Sequence, residues 1–264
     1  MQFAPSTRRC LRNLILAMAP VLAFTANADE IHVASSGGFA AAYRALAPGF
    51  EARTGHTLVA VWGPSMGETS GAIPKRLERG EPIDVVIMVG DALDKLVQQG
   101  RVEDAGHRLL ANSKIGVAVK AGAPRPDVST VAGLKQALLN AKSIAYSDSA
   151  SGEYLSKVLF PRLGVAEQIQ GKSRMIPAEP VAQVVARGDA DLGFQQVSEL
   201  LPVAGIDFVG ELPDEAQQLT PFSAGVVAGA KSRTAAMALL DYLGSAEAQP
   251  LIRKTGLTPA PAAH

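Results

Sequence analysis

The chain has 264 residues, 47% of them hydrophobic, with 25 Lys and Arg against 25 Asp and Glu and a single cysteine. That balance excludes the electrostatic footprint of a nucleic-acid binder or of a protein drawn to anionic membranes. One thiol excludes a disulfide framework and any metal site built from several thiolates.

At the start, Arg8, Arg9 and Arg12 precede the apolar run NLILAMAPVLAFT, which closes on Ala26-Asn27-Ala28, the small-x-small pattern of a secretory cleavage site. Residues 1–28 are therefore read as a signal peptide. Pro20 interrupts the run, which falls short of the roughly 20 residues of a spanning helix. Cys10 lies upstream of the run, out of place for lipid attachment, so the mature protein carries no thiol. What remains holds 22 basic and 25 acidic residues. A body of that charge must capture an anion locally, with a few aimed donors.

Short runs rich in Val and Ile then alternate with helical patterns. IHVASS reads as a strand, FAAAYRALAPGFEARTG as a helix ending near Gly55, and TLVAVW as a second strand. SGAIPKRLERG is a helix closing at Gly80, DVVIMV a strand with two apolar faces, and DALDKLVQQG a helix closing at Gly100. A second series follows: strand KIGVAVKAG, helix VAGLKQALLNA, strand SIAYSD, helix SGEYLSKVLFPRLG, strand KSRMIPA, helix PVAQVVARGDA and strand LGFQQV. A polar loop, GELPDEAQQLTPF, leads into SAGVVAGA and two closing helices. This succession is the signature of parallel sheet covered by helices, and two such series suggest an α/β protein of two lobes with a ligand cleft between them. The expected division is lobe 1 over 29–108 and 223–264, and lobe 2 over 109–222.

The loops at the carboxyl ends of these strands are alike. Ser35 and Ser36 with two glycines follow the first strand, Ser65, Met66 and Gly67 the second, and Ser149, Ala150, Ser151 and Gly152 the second strand of the second series. Each stands just before a helix, where hydroxyls and free backbone N–H groups suit an anion. Ser and Gly are also ordinary cap and turn residues there. Three such loops at equivalent strand ends favour the binding role.

Those loops, with RGEPIDVVIMVGDALDKLVQQGRV, VARGDADLGF and AMALLDYLGSAEAQPLIRKTG, resemble the periplasmic solute-binding proteins of the molybdate-binding type over nearly the whole mature chain. The resemblance implies a two-lobed fold of mixed sheets flanked by helices, a periplasmic location and a small anionic ligand. It matches Ser35 or Ser36 and Ser65 to oxyanion-binding serines, and the loop around Ala150 and Ser151 to the donor from the other lobe. Two departures stand out. Gln195 and Gln196 occupy the place of the family's ligand-contacting tyrosine, and the first-lobe loop is lengthened to GPSMGETSGAIPKRL, which adds Thr69 and Ser70. Amide donors and nearby Lys75 and Arg76 suit a larger, flatter polycarboxylate; a solvated helix face is the other role open to the two cations.

Within this broad family the chain also resembles the aconitate isomerases, which implies interconversion of trans- and cis-aconitate by an allylic proton shift. That reaction requires no cofactor or metal, but does need a base over the ligand. Glu68 in the lengthened loop and Glu153 at the second-lobe helix are the carboxylates expected nearest the cleft, with Tyr154 as a proton donor. Glu153 also suits a helix N-terminus, and Glu68 a solvated loop. The alternative is a monomeric receptor that hands a small anion to an ABC permease.

Overall fold

The computed structural model describes residues 1–2, 28–177 and 179–262, so the predicted leader, Cys10 included, lies almost wholly outside the described residues. Among the described residues, no helix is long and apolar enough to cross a membrane.

In chain order the first series is β1 (Glu30–Ser35), α1 (Gly37–Thr54), β2 (Thr57–Trp62), α2 (Ile73–Glu78), β3 (Val85–Val89), α3 (Gly90–Gln98) and β4 (Val102–Ser113). The second is β5 (Ile115–Lys120), α4 (Val131–Asn140), β6 (Ile144–Ser147), α5 (Ala150–Tyr154), a π-helical turn over Leu155–Leu159, α6 (Phe160–Arg162), α7 (Ala166–Ile169), β7 (Ser173–Ile176), α8 (Val181–Arg187), β8 (Leu192–Gln196), α9 (Val197–Leu200) and β9 (Ile206–Glu211). The chain closes with β10 (Thr220–Val227), α10 (Arg233–Leu243), α11 (Gln249–Lys254) and β11 (Thr258–Pro259).

These strands form two mixed sheets, ordered β11-β4-β10-β3-β1-β2 and β7-β6-β8-β5-β9. In the first, β1 runs parallel to β2 and β3, while β10 is antiparallel to β3 and β4. In the second, β6 runs parallel to β7 and β8, and β5 is antiparallel to β8 and β9. Residue pattern explains position. Every residue of β3 is buried, as an interior parallel strand covered on both faces requires. Helix α1 buries Phe39, Leu46 and Phe50 against that sheet and stops at Gly55, whose left-handed backbone (φ 76°) lets its N–H reach back to Glu51 O at 2.8 Å. The second sheet packs its own core, with Leu134, Leu138, Leu155, Phe160 and Phe194.

The chain leaves the first sheet after Ser113 and returns to it at Thr220. Gln217 ties the two crossings: its side-chain oxygen accepts from Ile115 N–H at 2.8 Å and its amide nitrogen donates to Ile115 O at 3.0 Å. A second tie is α9, which follows a strand of the second sheet yet rests on α1, with Ser198 Oγ donating to the buried Gly38 carbonyl at 2.7 Å.

Several elements differ from the sequence reading, among them the short α7, α9 and β11, which it did not contain. β4 and β9 were not anticipated as strands, because RVEDAGHRLLANS intersperses charges and pairs through a bulged register rather than a clean alternation. The expected continuous helix over 151–164 passes through a π-helical turn just ahead of Pro161, whose missing N–H interrupts the ladder.

Candidate functional site

The carboxyl ends of β1, β2, β3, β6 and β8 converge on a cavity of about 470 Å³. Its first wall comprises Ser36, Gly37 and Gly38 at the start of α1, Trp62 to Ser65, Thr69 to Gly71, Val89 and Phe222. The facing wall comprises Ser147 to Ala150, Glu179, Pro180, Gln195, Gln196 and Glu199.

Of the predicted residues, Ser36, Ser65, Thr69, Ser70, Ser149, Ala150, Gln195 and Gln196 line this cavity. Ser36 is the N-terminal cap of α1, but its hydroxyl is buried and has no hydrogen-bond partner among the described residues. Ser65 Oγ accepts from Val89 N–H at 3.0 Å, which leaves its own proton to donate. Ser147 Oγ lies 2.8 Å from Ser149 Oγ and 2.9 Å from Ser151 Oγ, so Ser151 braces the other two from behind, with Gly152 buried beside it. Gln196 donates through Nε2 to Thr220 Oγ1 at 2.9 Å, and its buried Oε1 has no partner among the described residues.

The remaining predicted residues stand outside the lining. Ser35 is buried beneath it and donates to Ser36 O at 3.2 Å. Met66 packs on the first-sheet core, and Gly67 sits exposed in a left-handed turn (φ 98°). The two cations are corrected most sharply. Lys75 is held by Glu68 at 2.8 Å and Glu78 at 3.1 Å, and these hydrogen bonds raise its pKa. Arg76 donates to Gly71 O at 3.0 Å and to Glu81 at 2.8 Å, so it supports the loop from outside. Arg79 joins it on Glu81 and also holds Ser70 O at 2.7 Å. Together Arg79 and Arg76 keep the Glu81 carboxyl below its usual range.

The three expected proton carriers are also elsewhere. Glu68 is 87% exposed and paired with Lys75. Glu153 points to solvent and pairs with Lys157 at 3.0 Å, one helical turn on. Tyr154 is buried in the second-lobe core, where its hydroxyl donates to Ala216 O and accepts from Arg162, each at 3.0 Å.

Of the lining residues that were not predicted as site residues, four bear on the chemistry. Trp62 forms a flat wall, its ring covered on one side by the Arg44 guanidinium at 4.4 Å. Glu179 is ion-paired with Arg187, which lowers its pKa. Asp148 belongs to the β6–α5 turn, and Glu199 to α9. Glu199 is half-buried, with its carboxyl over the first turn of α1; a Cβ at Gly37 would come within 2.2 Å of Glu199 Oε1. Burial pushes this carboxyl up to about 7, a hydrogen bond from Gln195 opposes the shift, and the charge of Asp148 adds to it. Glycine at position 37 was the available signal for a close neighbour, but a glycine before a helix reads first as a turn.

Among the described lining residues there is no Lys, Arg or His, against three carboxyl groups. An anion here meets hydroxyls, amides and the unpaired N–H groups of the first turn of α1. Among the described residues no group of His, Cys, Asp and Glu is placed to hold a metal ion.

Comparison with known proteins agrees with this architecture. The family described as bacterial extracellular solute-binding protein matches residues 31–258. An aconitate isomerase from Pseudomonas sp. is 51% identical over 249 residues, covering 94% of this chain and 95% of that protein. A molybdate-binding protein from Azotobacter vinelandii is 28% identical over 257 residues, covering 93% and 97%. The solved structure of the Azotobacter vinelandii periplasmic molybdate-binding protein superposes with a TM-score of 0.70 at 21% identity, covering 86% of this chain and 98% of that one. A two-sheet mixed fold, a cleft of neutral donors at the strand ends and a match over most of its length place this chain among the bacterial extracellular solute-binding proteins.

Proposed function

We propose that the protein is an aconitate isomerase of the periplasm that interconverts trans- and cis-aconitate on a solute-binding scaffold. The observation that carries this reading is the 51% identity, end to end, with an aconitate isomerase. The cleft supports it chemically. The wall on the first-sheet side supplies Ser36, Ser65 and the α1 N-terminus, and the wall on the second-sheet side supplies Ser149 and the two glutamine amides. Turning the Gln196 amide lets Thr220 donate to its oxygen and directs the NH2 group where a carboxylate can accept it.

The reaction follows from holding the ligand in one rotamer. A base removes a proton from the methylene carbon, and the electron pair of that C–H bond spreads across the three-carbon unit into the flanking carboxylates. The proton returns at the former vinylic carbon, which shifts the double bond by one position. The geometry of the new double bond copies the orientation in which the methylene-side carboxylate was held. Cis–trans interchange therefore needs no rotation about a double bond, and donors aimed at the carboxylates stabilise the charge that develops there.

The solute-binding family and the molybdate-binding relative favour a second reading, a receptor that delivers a small anion to an ABC permease. Chromatography of trans-aconitate incubated with purified protein separates the two. Formation of cis-aconitate supports the isomerase; thermal stabilisation by aconitate without product supports the receptor and refutes the isomerase.

A further inference from the structure

The cleft poses a charge problem. It is built for an anion from neutral donors, yet it carries Asp148, Glu179 and Glu199 and, among the described lining residues, no cation. Glu179 is neutralised by Arg187. Glu199 has no cation beside it, and its surroundings are otherwise fixed with care. Gln195 from β8 hydrogen-bonds its carboxyl, Gly37 leaves space for one of its oxygens, and the neighbouring Ser198 pins α9 to the Gly38 carbonyl. The carboxyl thus stands at the junction of the two walls, over the helix start where anionic donors converge. A carboxylate there opposes a polycarboxylate ligand electrostatically unless it exchanges a proton with it.

We propose that Glu199 is the catalytic base, its carboxylate taking the proton from the methylene carbon of bound aconitate and the resulting carboxylic acid returning a proton to the former vinylic carbon. The inference rests on the isomerase reading. The step is balanced: Glu199 ends as it began, one C–H bond breaks, one forms, and the double bond moves between them. Gln195 is the positioning residue, since its amide hydrogen-bonds the carboxyl while its own oxygen accepts from Ala182 N–H at 3.4 Å. Gln195 from β8 and Asp148 from the β6–α5 turn act on the Glu199 carboxyl, Gly37 of α1 lies against it, and Ser36, Gly38 and Glu179, ahead of α8, line the same cavity. Burial, opposed by the Gln195 hydrogen bond and reinforced by the charge of Asp148, pushes its pKa up to about 7, where a carboxyl can both accept and release a proton at neutral pH.

The test uses the full mature chain and the variants E199Q and E199D, with trans-aconitate as the probe. In E199Q, kcat should fall on the order of 1,000-fold, while trans-aconitate still raises Tm as in the wild type. E199D, with its carboxyl withdrawn by one methylene, should retain a measurable fraction of the rate. For the wild type, kcat/KM should rise with pH to a plateau above about 7, and in E199Q that rise should vanish from the residual rate. Turnover within a few fold of wild type in E199Q would overturn the inference alone. Loss of both turnover and aconitate stabilisation in E199Q and E199D would also overturn it, by assigning Glu199 to folding or binding. Absence of turnover in the wild type would overturn the isomerase reading and the inference with it.

Discussion

Replacing Glu199 by glutamine should stabilise the protein at alkaline pH while removing its activity. The folded state holds the Glu199 proton with an affinity near 7, against an ordinary value of 4.5, because burial disfavours the charged form. Below about 4.5 the folded and unfolded states are both protonated, and the group contributes no difference. As pH rises from 4.5 to 7 the unfolded chain releases the proton and the folded chain retains it, so stability falls; above 7 the full penalty is present. A tenfold change in proton affinity corresponds to about 1.4 kcal/mol, so a rise from 4.5 to about 7 sets an upper bound of about 3.5 kcal/mol. Because the side chain still meets the open cleft, about 1–2 kcal/mol is the expected size. Urea unfolding of wild type and E199Q in parallel from pH 4.5 to 8.5 measures it. The two proteins should be closest at the acid end, and E199Q should pull ahead as pH rises. A stability difference that stays constant across that range would refute the argument that Glu199 carries a strongly raised proton affinity in the fold.

Three further outcomes follow from individual contacts. Ser36→Ala should leave the ligand-free protein as stable as wild type, since the buried hydroxyl has no partner to lose, but weaken trans-aconitate binding about tenfold by isothermal calorimetry; a large loss of stability without ligand would contradict the binding role. Gln196→Tyr removes a buried amide bonded to Thr220 and fills the cleft, so aconitate-induced thermal stabilisation should disappear, and retention of wild-type affinity would take Gln196 out of the site. Tyr154→Phe breaks two hydrogen bonds inside lobe 2 and should cost about 1–2 kcal/mol in urea unfolding with kcat unchanged; a fall in kcat beyond tenfold would return Tyr154 to the chemistry.

The fold was legible because periodic strands and helices, punctuated by glycines such as Gly55, leave little freedom of interpretation. The antiparallel returns were less legible: β4 carries His107 and Arg108 among its apolar residues, so no clean alternation marks it. Within the site, serines and glutamines at strand ends could be read from position, since the carboxyl ends of parallel strands gather in one place. Charged residues could not. Lys75 and Arg76 lie close to the cleft in sequence, but Glu68, Glu78 and Glu81 are closer in space and take them. Glu199 escaped notice for the converse reason. Nothing in VSEL marks its glutamate as enclosed; only the docking of α9 on the start of α1 brings it to Gly37. Tertiary partners, not local pattern, decide which ionisable groups face a cleft.

Chemical turnover is the property that separates an isomerase from a receptor, and a proton NMR time course of the mature protein with trans-aconitate in deuterated buffer measures it. Cis-aconitate should appear with deuterium at the allylic carbon, at a rate proportional to protein concentration. An unchanged spectrum from a protein that trans-aconitate nevertheless stabilises against heat would contradict the isomerase reading, and would leave a receptor that holds its ligand without altering it.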